Sequence, residues 1–148
     1  PDKKGGRKHP TMRAIAQSLT DQDIADLAAH YSADGAGSGA ALPAKPAKEP
    51  GAEVQALLAK ANCASCHGAN FSTPIDPAYP KLAGQHADYL FVALKAYNTG
   101  DKNPKVGRGN AIMAGIAKQY TIAELKQLAK YLASLDSQLN TIPQNKFR

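Results

Sequence analysis

The pentapeptide Cys63-Ala-Ser-Cys66-His67 holds both cysteines of the chain, and it narrows what the chain can fold around more than any other feature. Two cysteines make at most one disulfide, too few to frame a small domain. A thioredoxin-like redox pair needs a preceding strand in a βαβ setting, and no alternating pattern precedes Cys63. A zinc centre needs two further ligands, and the set Cys63, Cys66, His67 and His86 does not follow zinc-finger spacing. The third reading is covalent attachment of haem c, for which Cys-x-x-Cys-His is the signature. Two intervening residues let a tight helical turn present both thiols to vinyl groups on neighbouring pyrrole edges. The histidine that follows then brings an imidazole nitrogen to the iron.

Composition points the same way. Of the 148 residues 43% are hydrophobic, but 28 are Ala, there is no Trp, and Tyr and Phe number six and three. Burial energy scales with apolar area, so a core of protein side chains alone would be thin, and something else is expected at its centre. No apolar run approaches the roughly 20 residues needed to span a bilayer. The chain starts at Pro1 with no visible signal peptide, the expectation for a processed product or a piece of a longer chain. The formal charge is +6. Residues 1–50 carry seven bases and six acids, and residues 51–148 eleven bases and six acids. Nucleic acid is the weaker explanation, because the bases are dispersed and no recognition signature accompanies them.

The pattern along the chain is helical. Val54, Leu57, Leu58 and Ala61 recur at helical spacing before the motif. Residues 68–84, with Pro74, Pro77 and Pro80, read as a loop. A helix over 86–98 places Leu90, Leu94 and Tyr97 on one face, with Gly100 as a stop. A polar loop over 101–110 follows, and Thr121-Ile-Ala-Glu124 reads as a capping box opening a helix with Ile122, Leu125, Leu128, Leu132 and Leu135 on one face. No convincing strand appears, so the fold class is all-α, with amphipathic helices that lack a large partner unless a haem sits between them.

The segments Tyr79-Pro-Lys-Leu-Ala-Gly-Gln-His-Ala-Asp-Tyr-Leu90, Leu94-Lys-Ala-Tyr97 and Asn110-Ala-Ile-Met-Ala-Gly-Ile-Ala117 resemble class I cytochromes c of the cytochrome c4 group, over residues 52–136. The resemblance implies a class I cytochrome c fold around one covalent haem c per chain, attached at Cys63 and Cys66. It implies iron ligation by His67 and Met113, where Met would otherwise be core filler. It also implies that the Pro80 carbonyl fixes the tautomer of the ligating His67. Gln85, Tyr97 and Asn110 read equally as donors around the haem or as capping and surface groups, and His86 as a solvent-facing helix start.

A constant offset of 101 aligns Met12 with Met113, Gly6-Arg7 with Gly107-Arg108, Thr20 with Thr121, Ile24 with Leu125 and Leu27 with Leu128. Internal repeats of this kind mark duplicated units. Residues 1–33 therefore read as the C-terminal half of a first cytochrome c-like repeat, 34–50 as an Ala/Pro/Gly linker and 51–148 as the cytochrome c domain. Members of the c4 type carry two haem domains in tandem. A helix is expected from about Thr20 to Ser32, with Ile24, Leu27 and Tyr31 buried against another surface.

The functional expectation is a one-electron carrier of a respiratory electron-transfer chain, not an enzyme, located in the periplasm where c-type attachment takes place. Its partners are expected to be an oxidase or reductase with an acidic docking surface, steered by Lys102, Lys105 and Arg108; no nucleic acid is expected, and membranes are met only through those partners. The alternatives are a haem c subunit of a specific dehydrogenase or oxidase, and, from another class, a haem-based ligand sensor or peroxidase-like protein with an easily vacated Met position.

Overall fold

The computed structural model describes residues 10–35, 43–46, 48–103 and 105–137. Among them every regular element is a helix: α1 (Pro10–Ala16), α2 (Asp21–Gly35), α3 (Ala52–Lys60), α4 (Ala64–His67), α5 (Ala87–Thr99), a single 3₁₀ turn (Gly100–Lys102), α6 (Ala111–Ala117) and α7 (Ile122–Ala133). The chain forms two compact units, Pro1–Gly35 with Phe91–Lys126 and Ala36–Leu90 with Gln127–Arg148.

The second unit holds α3, α4 and the long loop after it, the start of α5 and the end of α7. Leu57 of α3, Leu90 of α5, Leu128 and Leu132 of α7 and Leu135 just beyond it are all buried, as their spacing predicts, and each large apolar side chain so covered contributes roughly 1.5–3 kcal/mol. Gln127 Nε2 donates to Glu53 Oε1 at 3.1 Å, joining α7 to α3. The linker departs from a free tether. Asn70 Nδ2 donates to the Pro43 carbonyl at 3.1 Å, and the Tyr131 hydroxyl donates to the Lys48 carbonyl at 2.9 Å. Composition signals a flexible chain here, but two side chains distant in sequence fasten its C-terminal part.

In the first unit, Ala93 and Ala96 of α5, Ala114 and Ala117 of α6, and Leu125 of α7 are buried. Helix α7 opens with the expected capping box: Thr121 N donates to Glu124 Oε2 at 2.6 Å and Glu124 N donates to Thr121 Oγ1 at 3.2 Å. Helix α2 opens the same way, with Thr20 N donating to Asp23 Oδ2 at 2.8 Å and Asp23 N to Thr20 Oγ1 at 3.1 Å.

The offset of 101 runs through the backbone as well as the letters. Helix α1 shifted by 101 covers α6, and Asp21, where α2 begins, falls on Ile122, where α7 begins. The bonds Gln17 N to Arg13 O, Ser18 N to Ile15 O, Leu19 N to Ala16 O and Ile24 N to Thr20 O recur as Lys118 N to Ala114 O, Gln119 N to Ile116 O, Tyr120 N to Ala117 O and Leu125 N to Thr121 O. Burial does not repeat. Ile24, Leu27 and Tyr31 are 48%, 41% and 68% exposed, whereas Leu125, Leu128 and Leu132 at the matching positions are buried. The expectation that the α2 face is covered therefore fails in this chain.

Candidate haem-binding site

The site residues of the second unit lie on one helical turn and the loop that doubles back to it. Asn62, in the left-handed region at φ 47°, ends the turn after α3, and Cys63 N donates to Leu58 O at 3.2 Å. Cys63 then enters αR geometry as the N-cap of α4, and His67 N closes the turn onto Cys63 O at 3.1 Å. Cys63 and Cys66 are three apart, the spacing that sets two side chains on one helix face. Both are free thiols, half-buried.

His67 is buried at 7% exposure, and its Nδ1 lies 2.9 Å from the Pro80 carbonyl oxygen. A proline carbonyl can only accept, so Nδ1 carries the proton and the Nε2 lone pair is left available as a metal ligand. The Tyr79 ring packs beside the imidazole, with centroids 6.3 Å apart and planes tilted by 55°.

Bringing Pro80 back to His67 requires special backbone. Gly68 sits at φ 81°, and a Cβ there would collide with the Thr73 carbonyl oxygen. Phe71 is left-handed at φ 57° yet buried, a conformation that costs a non-glycine residue roughly 1–2 kcal/mol. Its carbonyl accepts from Leu82 N and Ala83 N at 2.8 and 3.0 Å. Buried Asn70 organises the turn between them, its Oδ1 accepting from Ser72 N and Thr73 N at 2.9 Å each. Ile75 N returns to Cys66 O at 3.2 Å.

The donor set separates the three chemistries open to Cys-x-x-Cys-His. Among the described residues no group of three or more His, Cys, Asp and Glu side chains is placed to hold a metal ion, which disfavours zinc. Burial pushes the Cys63 thiol above its ordinary pKa, opposite to the lowered values of redox-active or metal-bound cysteines. A thiol pair on one turn, followed by a buried histidine with its tautomer set, fits covalent haem attachment.

Met113 lies on α6 in the other unit and is half-buried. Asn110 is the N-cap of that helix, its Oδ1 accepting from Met113 N at 3.0 Å, so the capping role holds for it. Gln85 Oε1 accepts from His86 N at 2.9 Å at the start of α5, and His86 is exposed there as expected. Tyr97 lies under the Arg108 guanidinium, 5.4 Å from ring centroid to Cζ. Asn70 was not singled out by sequence reasoning. The Asn-x-Ser-Thr run at 70–73 is the available signal, since Asn accepts from backbone N–H groups two and three residues on.

The sequence model of the Cytochrome c family matches residues 51–136. The chain belongs to the cytochrome c family. Within that family it is similar to cytochrome c4 of Azotobacter vinelandii, at 30% identity over 88% of this chain and 62% of the relative. Cytochrome c4 of Thiocapsa roseopersicina is 30% identical over 90% of this chain and 70% of its own length. The thiosulfate dehydrogenase electron acceptor of Stutzerimonas stutzeri matches at 30% identity over 90% of this chain and 62% of that protein. The solved structure of Acidithiobacillus ferrooxidans cytochrome c4 superposes with a TM-score of 0.57 at 28% identity, over 84% of this chain and 70% of that one. This is a c4-like class I c-type cytochrome, and its cysteine pair fits one covalently bound haem c. The chain spans 62% of the length of several of these relatives.

Proposed function

We propose that this cytochrome is a one-electron carrier rather than an enzyme, working with redox partner proteins in the periplasm as part of a respiratory chain. The observation that carries the reading is the 2.9 Å bond from His67 Nδ1 to the Pro80 carbonyl, which leaves one imidazole nitrogen for iron directly after the Cys63 and Cys66 thiols. Cys63 and Cys66 would hold the haem by thioethers, and His67 and Met113 would serve as its iron ligands, leaving substrates no place on the metal. When bound, the haem supplies a ferrous/ferric couple. A thioether ligand favours the ferrous form and raises the potential.

Lys102 and Lys105 are exposed and Arg108 half-buried, on a loop folded back by bonds from Gly107 N to Asn103 O at 2.9 Å and from Arg108 N to Ala96 O at 3.0 Å. Held basic groups of this kind support steering of an acidic partner, an effect mainly on encounter rate. Service to a specific dehydrogenase is the second reading, favoured by the relative named as a thiosulfate dehydrogenase electron acceptor. Residues 1–33 are read as the C-terminal half of a first cytochrome c-like repeat, 34–50 as the linker and 51–148 as the haem domain; the paired helices and capping boxes at a constant offset support this.

The test is spectroscopic and kinetic. The ferric protein should show the weak far-red band of a sulfur–iron bond, and the ferrous protein should bind carbon monoxide slowly. Rapid binding at neutral pH would instead favour a ligand sensor or peroxidase. Lys102→Glu with Lys105→Glu should slow reduction by an acidic partner and flatten its salt dependence; unchanged rates would remove the steering role.

A further inference from the structure

We propose that Asn98 is a positioning residue for Met113, acting through helix α6; this rests on the reading of Met113 as an axial ligand. Helix α6 is seven residues long, too short to be stable alone, because helices below about 12 residues are marginal in water. Its orientation therefore depends on what holds its ends. At the N-terminus Asn110 Oδ1 accepts from Met113 N at 3.0 Å. At the C-terminus the half-buried Asn98, in the last turn of α5, donates from Nδ2 to the Ala117 carbonyl at 2.9 Å. The first bond is local. The second spans 19 residues of sequence and is a side-chain tie from α5 to α6.

Several features give the tie its leverage. Ala114 and Ala117, on the α6 face one and four residues after Met113, are buried and Ile116 is half-buried, so the helix lies close against its surroundings mainly through small side chains. The Ala117 carbonyl is one of the orphan acceptors of a helix end. It receives only a longer backbone bond, 3.3 Å from Tyr120 N, beside that of Asn98. The segment before α6 is fastened to α5 by the backbone bond from Arg108 N to Ala96 O at 3.0 Å, so Asn98 holds the far end of a helix whose approach is already fixed. Helix α1, at the matching offset, has the same length and no buried residue, and Met12 on it is 57% exposed. The same helix can thus form without presenting its Met half-buried. The difference at α6 includes the Asn98 tie.

Losing one such bond changes the balance between Met-bound and Met-released states by about fivefold, the equivalent of a typical net hydrogen-bond contribution. Carbon monoxide reads this directly in the ferrous holoprotein, because it competes for the axial position that the released sulfur vacates. Asn98→Ala removes the side chain, and Asn98→Asp keeps the shape while removing the donor. Both should accelerate carbon monoxide binding about fivefold and weaken the ferric far-red band. Thr99→Ala is the control, since Thr99 Oγ1 donates only along its own helix to Lys95 O at 3.0 Å; it should change neither readout. Unchanged binding rates and band intensity in both Asn98 variants would overturn the proposal while leaving Met113 ligation standing. A parent protein without the band, or Met113→Ala binding carbon monoxide no faster than the parent, would overturn the ligand reading and this one with it.

Discussion

A methyl group at position 68 would meet the Thr73 carbonyl oxygen, and φ there is 81°, so Gly68→Ala should strain the turn that follows the haem-attachment motif. Gly115 is the contrast, with nothing within 4 Å of an added Cβ and a place inside α6. Gly115→Ala should be neutral or raise stability by up to about 1 kcal/mol, whereas Gly68→Ala should lower it by more than that. Thermal unfolding of the two holoproteins checks the pair, and equal shifts would contradict the reading of Gly68. Cys63→Ser or Cys66→Ser should each leave one thioether and weaken retention, and the double variant should lose stable holoprotein. At this scale the sequence is direct about the chemistry, because Cys-x-x-Cys-His is contiguous. It is silent on Asn70 and Asn98, whose partners at Pro43 and Ala117 lie 27 and 19 residues away. Such bonds exist only once the chain has folded.

The elements most legible in the sequence are those closed by local signals. Thr121 and Glu124 satisfy each other's backbone at the start of α7, and Thr121→Ala should cost about 1 kcal/mol in denaturant unfolding. The matching box on α2 adds a pH dependence. The hydrogen bond from the Thr20 hydroxyl, then that from the Thr20 N–H, holds the Asp23 carboxyl below the ordinary carboxylate range. Because the folded value is depressed, the cap's contribution is complete above the unfolded value near 4 and fades as pH falls through the lower folded value. Amide exchange at residues 21–25 should therefore rise on acidification below about pH 4, and a flat profile would contradict the cap. At the C-terminal end of the linker, whose Ala, Pro and Gly make a flexible to semi-rigid chain, the Tyr131 hydroxyl bonds to the Lys48 carbonyl. Tyr131→Phe should speed exchange around Lys48 and leave the haem spectrum unchanged. Burial, then the charge of Glu49, raises the Tyr131 pKa, so the same bond should fail only at strongly alkaline pH.

At the scale of the whole molecule, a single helical pattern occurs twice but is covered once. The offset of 101 is readable letter by letter, and helix bounds and hydrogen bonds recur at the same offset. The exposure of Ile24, Leu27 and Tyr31 is not readable that way, because periodicity reports which face is apolar and not whether anything lies over it. Among the described residues no helix is long and apolar enough to cross a membrane. The repeat without a second Cys-x-x-Cys-His implies one haem per chain, with Met12 outside the iron's coordination; Met12→Ala should leave the visible spectrum as it was. Everything above turns on one haem bound covalently by Cys63 and Cys66. Intact mass spectrometry of the denatured, acid–acetone-washed protein measures this directly. Covalent attachment gives a single species at the 15.5 kDa chain mass plus one haem; the bare chain mass with colour in the solvent, or two haems on the chain, would rule it out.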